Sequence, residues 1–252
     1  MSNLVNDMIQ PGFIIEPIAE CSLLVTFSVN PEITDTELKV GHLSDAIRFH
    51  FSDVIMNVTP AYHSILVDYL PYRISESEFI LKLAGVIQAA EQTRFSSAPA
   101  DLIVLPVYYA HETGIDIERF EKNGISLNKL IKLHTQPEYT VSAIGFAPGF
   151  GFLSDVPVEL TMPRHNTPRV SVAKGSVAIA NTKTAVYPSD SPGGWNIIGN
   201  CPVPLFELDR LNQLSSEDSF TNIDSISKLK IGSRVKFESI TRDEFLSLGG
   251  LL

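Results

Sequence analysis

The segment SILVDYLPYRISESEFILKLAGVIQAA, residues 64–90, decides the fold class predicted for the first part of the chain. Its first six residues place alternate side chains on one face of a strand, namely Ile65, Val67 and Tyr69. Ser75 and Glu78 have the spacing of a helix capping box, and the apolar residues after them recur at helical intervals. The segment therefore predicts a strand that is followed by an amphipathic helix.

The residues before this segment show the same alternation of strand and helix. The apolar run from Ser22 to Val29 is typical of a buried strand. Thr34 and Glu37 form a second capping box, which predicts a helix to about His50. A strand, a turn and a last strand are predicted at 54–59, 60–62 and 102–109. The order β-α-β-β-α-β corresponds to the ferredoxin-like arrangement.

The pattern changes after the Ser- and Pro-rich linker at 96–100. Two short helices are predicted at 116–122 and 126–134, and short apolar stretches between Pro and Gly residues follow them. Those stretches are Thr140 to Phe146, Ser176 to Ala180, Thr184 to Tyr187 and Ser233 to Phe237. Many short strands indicate a β-barrel or sandwich, and the polar stretch 217–228 is expected on the surface. We predict an α+β chain with domains at 1–97 and 98–252.

The composition limits the class of protein. With 44% hydrophobic and 19% charged residues the chain is expected to be globular. It has 19 Lys and Arg against 29 Asp and Glu, and the net charge of −10 opposes nucleic acid binding. Met1 to Gln10 lacks a signal-peptide pattern, and no run reaches transmembrane length. The two cysteines, Cys21 and Cys201, fit a reducing compartment, so we expect a cytoplasmic protein without membrane partners.

Two arginines are candidates for binding an anion. Arg164 and Arg169 each follow a proline in a stretch with limited backbone freedom, and a fixed guanidinium suits bidentate capture of a carboxylate or phosphate. The alternative is that both form surface ion pairs. His165 lies between them, either within reach of a ligand or as an exposed side chain. On the ligand interpretation, removal of Arg169 is expected to lower activity more than stability.

The stretch Ser191-Pro192-Gly193-Gly194-Trp195 is a second candidate. Its glycines can adopt positive φ, and successive backbone N–H groups could form an anion-binding nest that includes Ser191 and Trp195. The alternative is a tight turn with Trp195 packed in the core. Asp190, just before it, is either a general base or a residue that caps the turn.

Other kinds of site are not indicated. The six histidines have no His-x-x-x-His spacing and the cysteines no Cys-x-x-Cys spacing, so no metal site is predicted. The sequence has no Gly-x-Ser-x-Gly and no phosphate-binding Gly-x-x-x-x-Gly-Lys-Ser/Thr. If the reaction consumes ATP, its site cannot be identified in this chain.

Several motifs together resemble a known family. In order they are Gly145-Phe146-Ala147-Pro148-Gly149-Phe150, Pro163-Arg164, Pro168-Arg169, Lys174-Gly175-Ser176-Val177-Ala178-Ile179-Ala180 and Tyr187 to Trp195. This series is similar to the signature of the allophanate hydrolase subunit 1 family, which includes KipI kinase inhibitors and 5-oxoprolinase B subunits. The resemblance implies a ferredoxin-like N-terminal domain and a cyclophilin-like C-terminal β-barrel.

The resemblance also implies an activity and partners. It suggests a subunit of an ATP-dependent 5-oxoprolinase, inactive alone, that works with an allophanate hydrolase subunit 2 or KipA-type subunit and a LamB/YcsF-type subunit. Two alternatives stay open: a KipI-type inhibitor of a sensor histidine kinase, and an allophanate hydrolase or urea carboxylase component. The pocket is expected to contain substrate-binding and catalytic candidates. The substrate-binding candidates are Arg164, Arg169, Ser191, Gly193, Gly194 and Trp195. The catalytic candidates are Asp190 and His165.

The chain departs from the family pattern at four marked positions. Gly151 stands where Pro is usual, Lys174 where Ala is usual, and Asn181 and Lys183 lie in what is elsewhere a Gly-x-Gln-Thr type turn. We expect Asn181 and Lys183, as departures from that turn, to alter ligand contacts and so to bear on which activity of the family applies.

Overall fold

The computed structural model describes residues 9–28, 36–92, 102–207 and 226–252. The chain is a mixed α+β protein, rich in sheet, and it divides into two compact units, Met1–Pro99 and Ala100–Leu252. The boundary predicted between residues 97 and 98, the Thr34 of the first capping box and most of the predicted 217–228 excursion lie outside the described residues.

The described part of the first unit has one antiparallel sheet and two helices. Its elements are β1 (Ile9–Gln10), β2 (Phe13–Ala19), β3 (Ser22–Phe27), α1 (Thr36–His50), β4 (Ile55–Ala61), β5 (Ser64–Tyr69) and α2 (Glu76–Gln92). The strand order is β1-β2-β3-β5-β4, with neighbouring strands antiparallel. Alternate residues of β5 are buried, as predicted, and they pack with the apolar faces of both helices in one core.

Two predictions for this unit are corrected. The strand at 102–107 was expected to complete the sheet, but it pairs in the second unit. The place beside β3 is taken by β2, which the sequence pattern did not predict because Pro17 and Glu16 interrupt its apolar residues. The predicted turn at 60–62 lies instead at Tyr62–His63, since β4 continues through Ala61. At the start of α2, Ser75 Oγ accepts the Glu78 N–H at 3.4 Å, as a capping residue should.

The second unit has many short strands. They are β6 (Leu102–Val107), β7 (Tyr139–Ile144), β8 (Gly151–Leu153), β9 (Arg169–Val172), β10 (Ser176–Ala180), β11 (Lys183–Val186), β12 (Ser191–Gly193), β13 (Asn196–Asn200) and β14 (Arg234–Ser239). The helices are α3 (Ile117–Lys122), α4 (Leu127–Thr135) and α5 (Arg242–Ser247), with a 3-10 turn at Val158–Leu160. The ladders are β7-β14-β6 with β8 on β7, β11-β10-β13, and β12-β9.

These described strands do not close into one barrel, which corrects the predicted β-barrel. Isolated bridges, such as Tyr108 with Asn200 and Met162 with Asn181, join the separate ladders. The strands are three to six residues long and several pairings shift register, so no continuous ladder runs around the described part of the unit. The two larger ladders instead share one core, to which β14 contributes Phe237 and β10 contributes Ile179.

A buried histidine lies beside this core. His134, in the last turn of α4, is fully buried, and burial lowers its pKa to about 3. The Thr184 hydroxyl donates to the carbonyl of Ala178 (3.0 Å), so Thr184 Oγ1 accepts from Nε2–H of the imidazole (2.9 Å). The remaining nitrogen, Nδ1, accepts the hydroxyl hydrogen of Tyr109 (2.7 Å). A neutral histidine thus links three elements by hydrogen bonds.

None of the helices that the structure describes is both long enough and apolar enough to cross a membrane. Within the same residues, no three His, Cys, Asp or Glu side chains are grouped so as to hold a metal ion.

Candidate functional site

A buried carboxylate organises the predicted site. Asp116, at the start of α3, is 4% exposed and makes no hydrogen bond that caps its own helix. Its Oδ1 accepts from Arg169 Nη2 at 2.6 Å and lies 2.9 Å from His165 Nε2, while its Oδ2 accepts the Ile197 N–H at 2.8 Å. These donors replace the water that the carboxylate loses on burial.

The contact with Asp116 defines the orientation of His165. A carboxylate only accepts hydrogen bonds, so the contact with Oδ1, the shortest that Nε2 makes, is a hydrogen bond when Nε2 carries the hydrogen. Nε2 also lies 3.2 Å from Arg119 Nη1 and 3.3 Å from Arg169 Nη2. With Nε2 protonated, Nδ1 is the nitrogen of a neutral ring that can accept a proton, and the side chain is 26% exposed.

Arg119 and Asn196 connect this cluster to buried backbone groups. Asn196 is fully buried, and its Oδ1 accepts from Arg119. The Asn196 amide donates to the carbonyl of Ile179 at 2.8 Å and to that of Pro163 at 3.2 Å. The second bond fixes the backbone immediately before the two candidate residues 164 and 165.

The two predicted arginines have different environments. Arg169 is held by Asp116 and also donates to the Trp195 carbonyl at 3.3 Å. Arg164 is exposed, and within the described part of the chain it makes neither an ion pair nor a hydrogen bond. A methyl group on Gly194 would lie 3.5 Å from Arg164 Nη2, which places this guanidinium over the glycine. Of the two, Arg164 therefore has the guanidinium that is free to bind an anion.

Gly193 and Gly194 have a different structural role from the predicted anion-binding nest. Neither Gly193 nor Gly194 adopts a positive φ, so the two glycines do not supply the left-handed conformation expected for the nest. Gly193 lies in β12, opposite Arg169 of β9, and a methyl group there would lie 2.2 Å from Tyr187 Oη. The His165 N–H donates to the Gly194 carbonyl at 2.7 Å. The glycines thus allow Tyr187 and the 164–165 segment to approach the strand closely.

The buried Tyr187 and the partly buried Trp195 lie beside the arginines. Burial raises the pKa of Tyr187, while a backbone hydrogen bond from Trp195 and the nearby Arg164 and Arg169 act in the opposite direction. The partly buried Trp195 ring lies 5.8 Å from that of Phe150, edge to face. Trp195 therefore packs on the core, as the alternative interpretation of its turn predicted.

Asp190 and Ser191 make only local contacts. The exposed Asp190 accepts the Lys174 N–H at 2.7 Å, and Ser191 Oγ donates to the Ser189 carbonyl at 3.3 Å. Neither side chain bonds to His165 or to the arginines in the described structure. The contact of Asp190 is that of a turn-capping residue, and its role as a general base stays a prediction.

The departures from the family pattern have structural explanations. A side chain at Gly151 would lie 2.9 Å from Leu229, and Asn181 has a φ of 53° in the β10–β11 hairpin, a conformation that asparagine tolerates. Lys183 pairs with Asp155 at 2.9 Å. Lys174 is exposed, with its backbone N–H on Asp190.

Sequence reasoning missed Asp116, Arg119, Asn196 and Tyr187. One signal was present, although no strand was predicted there: Asn196 directly precedes the apolar pair 197–198, and a polar side chain in a buried strand needs partners. Asp116 gave no such signal, because an aspartate at the start of a helix usually serves as a cap.

Comparisons with known proteins add a family to this geometry. The model of the carboxyltransferase domain, subdomain C and D, matches residues 13–215. Among the 5-oxoprolinase B subunits, that of Bacillus subtilis (strain 168) is 33% identical over 202 residues, which cover 76% of this chain and 83% of that protein.

Two solved structures are similar in fold. The TTHA0988 structure superposes with a TM-score of 0.71 at 27% identity over 87% of this chain, which spans 40% of that chain. The urea carboxylase of Kluyveromyces lactis superposes with a TM-score of 0.62 over 93% of this chain and 22% of its own length. Its 13% identity indicates a shared fold alone.

Proposed function

Because this chain belongs to the carboxyltransferase subdomain C and D family and is related to 5-oxoprolinase B subunits, we propose that it is a subunit of an ATP-dependent 5-oxoprolinase. The complex opens 5-oxoproline to L-glutamate. Its other members are a subunit of the allophanate hydrolase subunit 2 or KipA type and one of the LamB/YcsF type. We also propose that the first unit is ferredoxin-like, with β2 in the place of the predicted last strand. The second unit is cyclophilin-like, with ladders that do not close into a barrel in its described part.

One observation carries the proposal: Arg164, exposed and unpaired within the described residues, stands beside a cluster whose arginine at position 169 is already neutralised. The substrate has one carboxylate, and a free guanidinium can bind it through two hydrogen bonds. The positive charge of Arg169 is offset by Asp116, so Arg164 provides the stronger attraction for an anion.

The chemistry requires help from ATP. A lactam carbonyl is a poor electrophile, but transfer of the γ-phosphoryl group to its oxygen makes the ring carbon open to attack by water. The tetrahedral intermediate formed by this water releases the ring nitrogen, which takes up a proton, and leaves γ-glutamyl phosphate. A second water hydrolyses this acyl phosphate, so that one ATP and two waters convert 5-oxoproline to glutamate, ADP and phosphate. In this scheme the ATP site lies in a partner protein, and His165, oriented by Asp116, accepts a proton from the water through Nδ1.

Subunit omission tests the proposal. We expect ATP-dependent release of glutamate from 5-oxoproline when all subunits are combined, and none from this chain alone or from the complex without it. Arg164→Gln should raise KM for 5-oxoproline about tenfold to a hundredfold, the loss expected for one hydrogen bond to a charged group.

Arg48→Gln is the control, because Arg48 lies on α1, where it pairs with the exposed Asp45 and donates to the Val58 carbonyl, and has no role in the proposed site. It should leave turnover unchanged. Undiminished glutamate release without this chain, or no release from any combination, would contradict the proposal. Inhibition of a sensor kinase or stimulation of urea carboxylation by the same preparation would instead support one of the two alternative functions.

A further inference from the structure

The loop between β7 and β8 holds an aromatic residue in a strained conformation. Phe146 has a φ of 70°, and the Ala147 N–H donates to the Gly145 carbonyl at 2.8 Å, across a single residue. This is the pattern of a γ-turn with positive φ, which is rare for residues other than glycine. Such a conformation costs on the order of 1–3 kcal/mol and persists only where the surroundings enforce it.

The rest of the loop supplies that enforcement. The Phe150 N–H donates to the Ala147 carbonyl at 2.9 Å across a turn formed by Pro148 and Gly149, whose φ is 79°. A methyl group at Gly149 would lie 2.7 Å from Cβ of Phe206, so this turn is pressed against its neighbour. These contacts hold the loop in the geometry that sets the direction of the Phe146 side chain.

The strained conformation does not bury the Phe146 ring. Phe146 is 64% exposed, although Phe150 of the same loop is 2% exposed. Its ring meets Phe150 at 5.2 Å between centroids and Tyr187 at 6.4 Å, each time nearer to edge-on than to parallel. An apolar ring is thus held in water in an unfavourable conformation, which core packing does not explain.

Tyr187 connects this ring to the free arginine. Its hydroxyl lies over Gly193, and the guanidinium of Arg164 lies over the next residue, Gly194. Phe146 and Arg164 are therefore both neighbours of Tyr187. Both are exposed, whereas Tyr187 is 1% exposed, and Trp195, whose backbone bonds to Tyr187, is partly buried.

We propose that Phe146 and Arg164 are the two contact residues of one shallow site that binds a small cyclic amide bearing a carboxylate. The flat face of the amide ring packs on Phe146, and the carboxylate bonds to the guanidinium. This inference deepens the proposed function and rests on it, since 5-oxoproline has both features. Phe146 would then determine specificity for the ring.

The only tryptophan of the chain, Trp195, provides a direct readout of binding. Its fluorescence is followed while L-5-oxoproline is added to the purified chain, and then while 2-pyrrolidinone, which lacks the carboxylate, is added. We expect a saturable change with L-5-oxoproline. Phe146→Gly should weaken its affinity at least about tenfold, Phe146→Tyr should preserve it, and Arg164→Gln should weaken the binding of L-5-oxoproline but not that of 2-pyrrolidinone.

Thermal melting separates binding from folding. Because glycine adopts a φ of 70° without strain, Phe146→Gly should melt at the same temperature as the parent or higher. The control is Phe49→Ala, which removes a ring that is 81% exposed on α1, and it should leave the titration unchanged. The absence of a saturable change in the parent chain, or equal affinity in Phe146→Gly, would overturn the inference.

The glutamate assay distinguishes the proposed reaction from the inference about Phe146 and Arg164. A complex that is active while Phe146→Gly binds and turns over normally contradicts only this inference. A chain that binds L-5-oxoproline through Phe146 in a complex that releases no glutamate contradicts only the proposed reaction.

Discussion

At the scale of single residues, Asp116 determines which arginine is available to a ligand. Its buried carboxylate holds Arg169, whereas Arg164 has no such partner among the described residues. A carboxylate that is 5% exposed at its side chain needs a cationic partner, so the pair belongs to the fold. This changes the expectation, based on sequence, that loss of Arg169 lowers activity more than stability.

We therefore predict different effects on stability for the two arginines. Arg169→Ala should lower the free energy of unfolding by about 3 kcal/mol, because it leaves Asp116 buried without its ion-pair partner. Arg164→Ala, its matched control, should change that free energy by less than about 0.5 kcal/mol, since it removes an exposed side chain that has no partner among the described residues. Urea unfolding of both variants measures the difference, and equal stabilities would show that the buried pair is not needed.

His134 predicts a dependence of stability on acid pH. Burial lowers its pKa to about 3 in the folded chain, against about 6.5 when unfolded. Between these values the unfolded chain binds a proton that the folded chain does not, so stability falls as the pH is lowered from about 6.5 towards 3. Above about 6.5 the effect disappears.

The measurement compares the parent chain with His134→Gln. From about pH 6.5 to 5 the parent should lose about 2 kcal/mol more than the variant, at about 1.36 kcal/mol for each pH unit. The variant should be less stable near neutral pH, because it breaks the bonds to Tyr109 and Thr184. Parallel curves for the two chains would mean that His134 can be protonated in the folded state.

At the scale of elements, the β9–β12 pair brings the two predicted motifs together. The arginine stretch supplies β9 and the glycine stretch supplies β12, with Arg169 directly opposite Gly193. Each strand is too short to be stable alone, so the pair depends on the side chains packed against it. Tyr187 is the closest of these, because Gly193 has no side chain to hold it away.

Gly193→Ala should therefore disturb this pair. The added methyl group would lie 2.2 Å from Tyr187 Oη, and Tyr187 is 1% exposed and cannot swing out of the way. We expect a loss of about 1–3 kcal/mol, the usual cost of overpacking, and a changed emission of Trp195.

Gly85→Ala is the control for this substitution. Gly85 is exposed in α2, and apart from its chain neighbours and the backbone of its own helix no described atom lies within 4 Å of the added methyl group, so alanine should stabilise the chain by up to about 1 kcal/mol. Equal melting temperatures for the Gly193 variant and the parent would show that the strand has room at this position.

At the scale of the whole molecule, the site has a charge opposite to that of the chain. Three guanidinium groups, on Arg119, Arg164 and Arg169, and one carboxylate, on Asp116, give the cluster a charge of 3 − 1 = +2. The chain as a whole has a net charge of −10. The cluster therefore attracts an anion although the net charge of the chain is negative.

The sequence by itself determined the elements and the family. The strand at 64–69, the end of α1 at His50 and the short strand at 176–180 follow from local periodicity and turn residues, which act over a few positions. The family motifs likewise lie within one stretch of chain, and the matching family model confirms the resemblance. It also predicted that residues 164–169 and 191–195 belong together in one site.

The tertiary structure alone decided the pairing of these parts. Leu102–Val107 has the pattern of a strand, but its partner β14 begins only at Arg234, far along the chain. Asp116 likewise forms its ion pair with Arg169 and not with Arg164, because the fold brings these distant residues together. The strained loop of Phe146 packs against Phe206, which is also distant in the sequence. Local sequence sets the preferences of each segment, whereas burial determines which distant groups must satisfy one another.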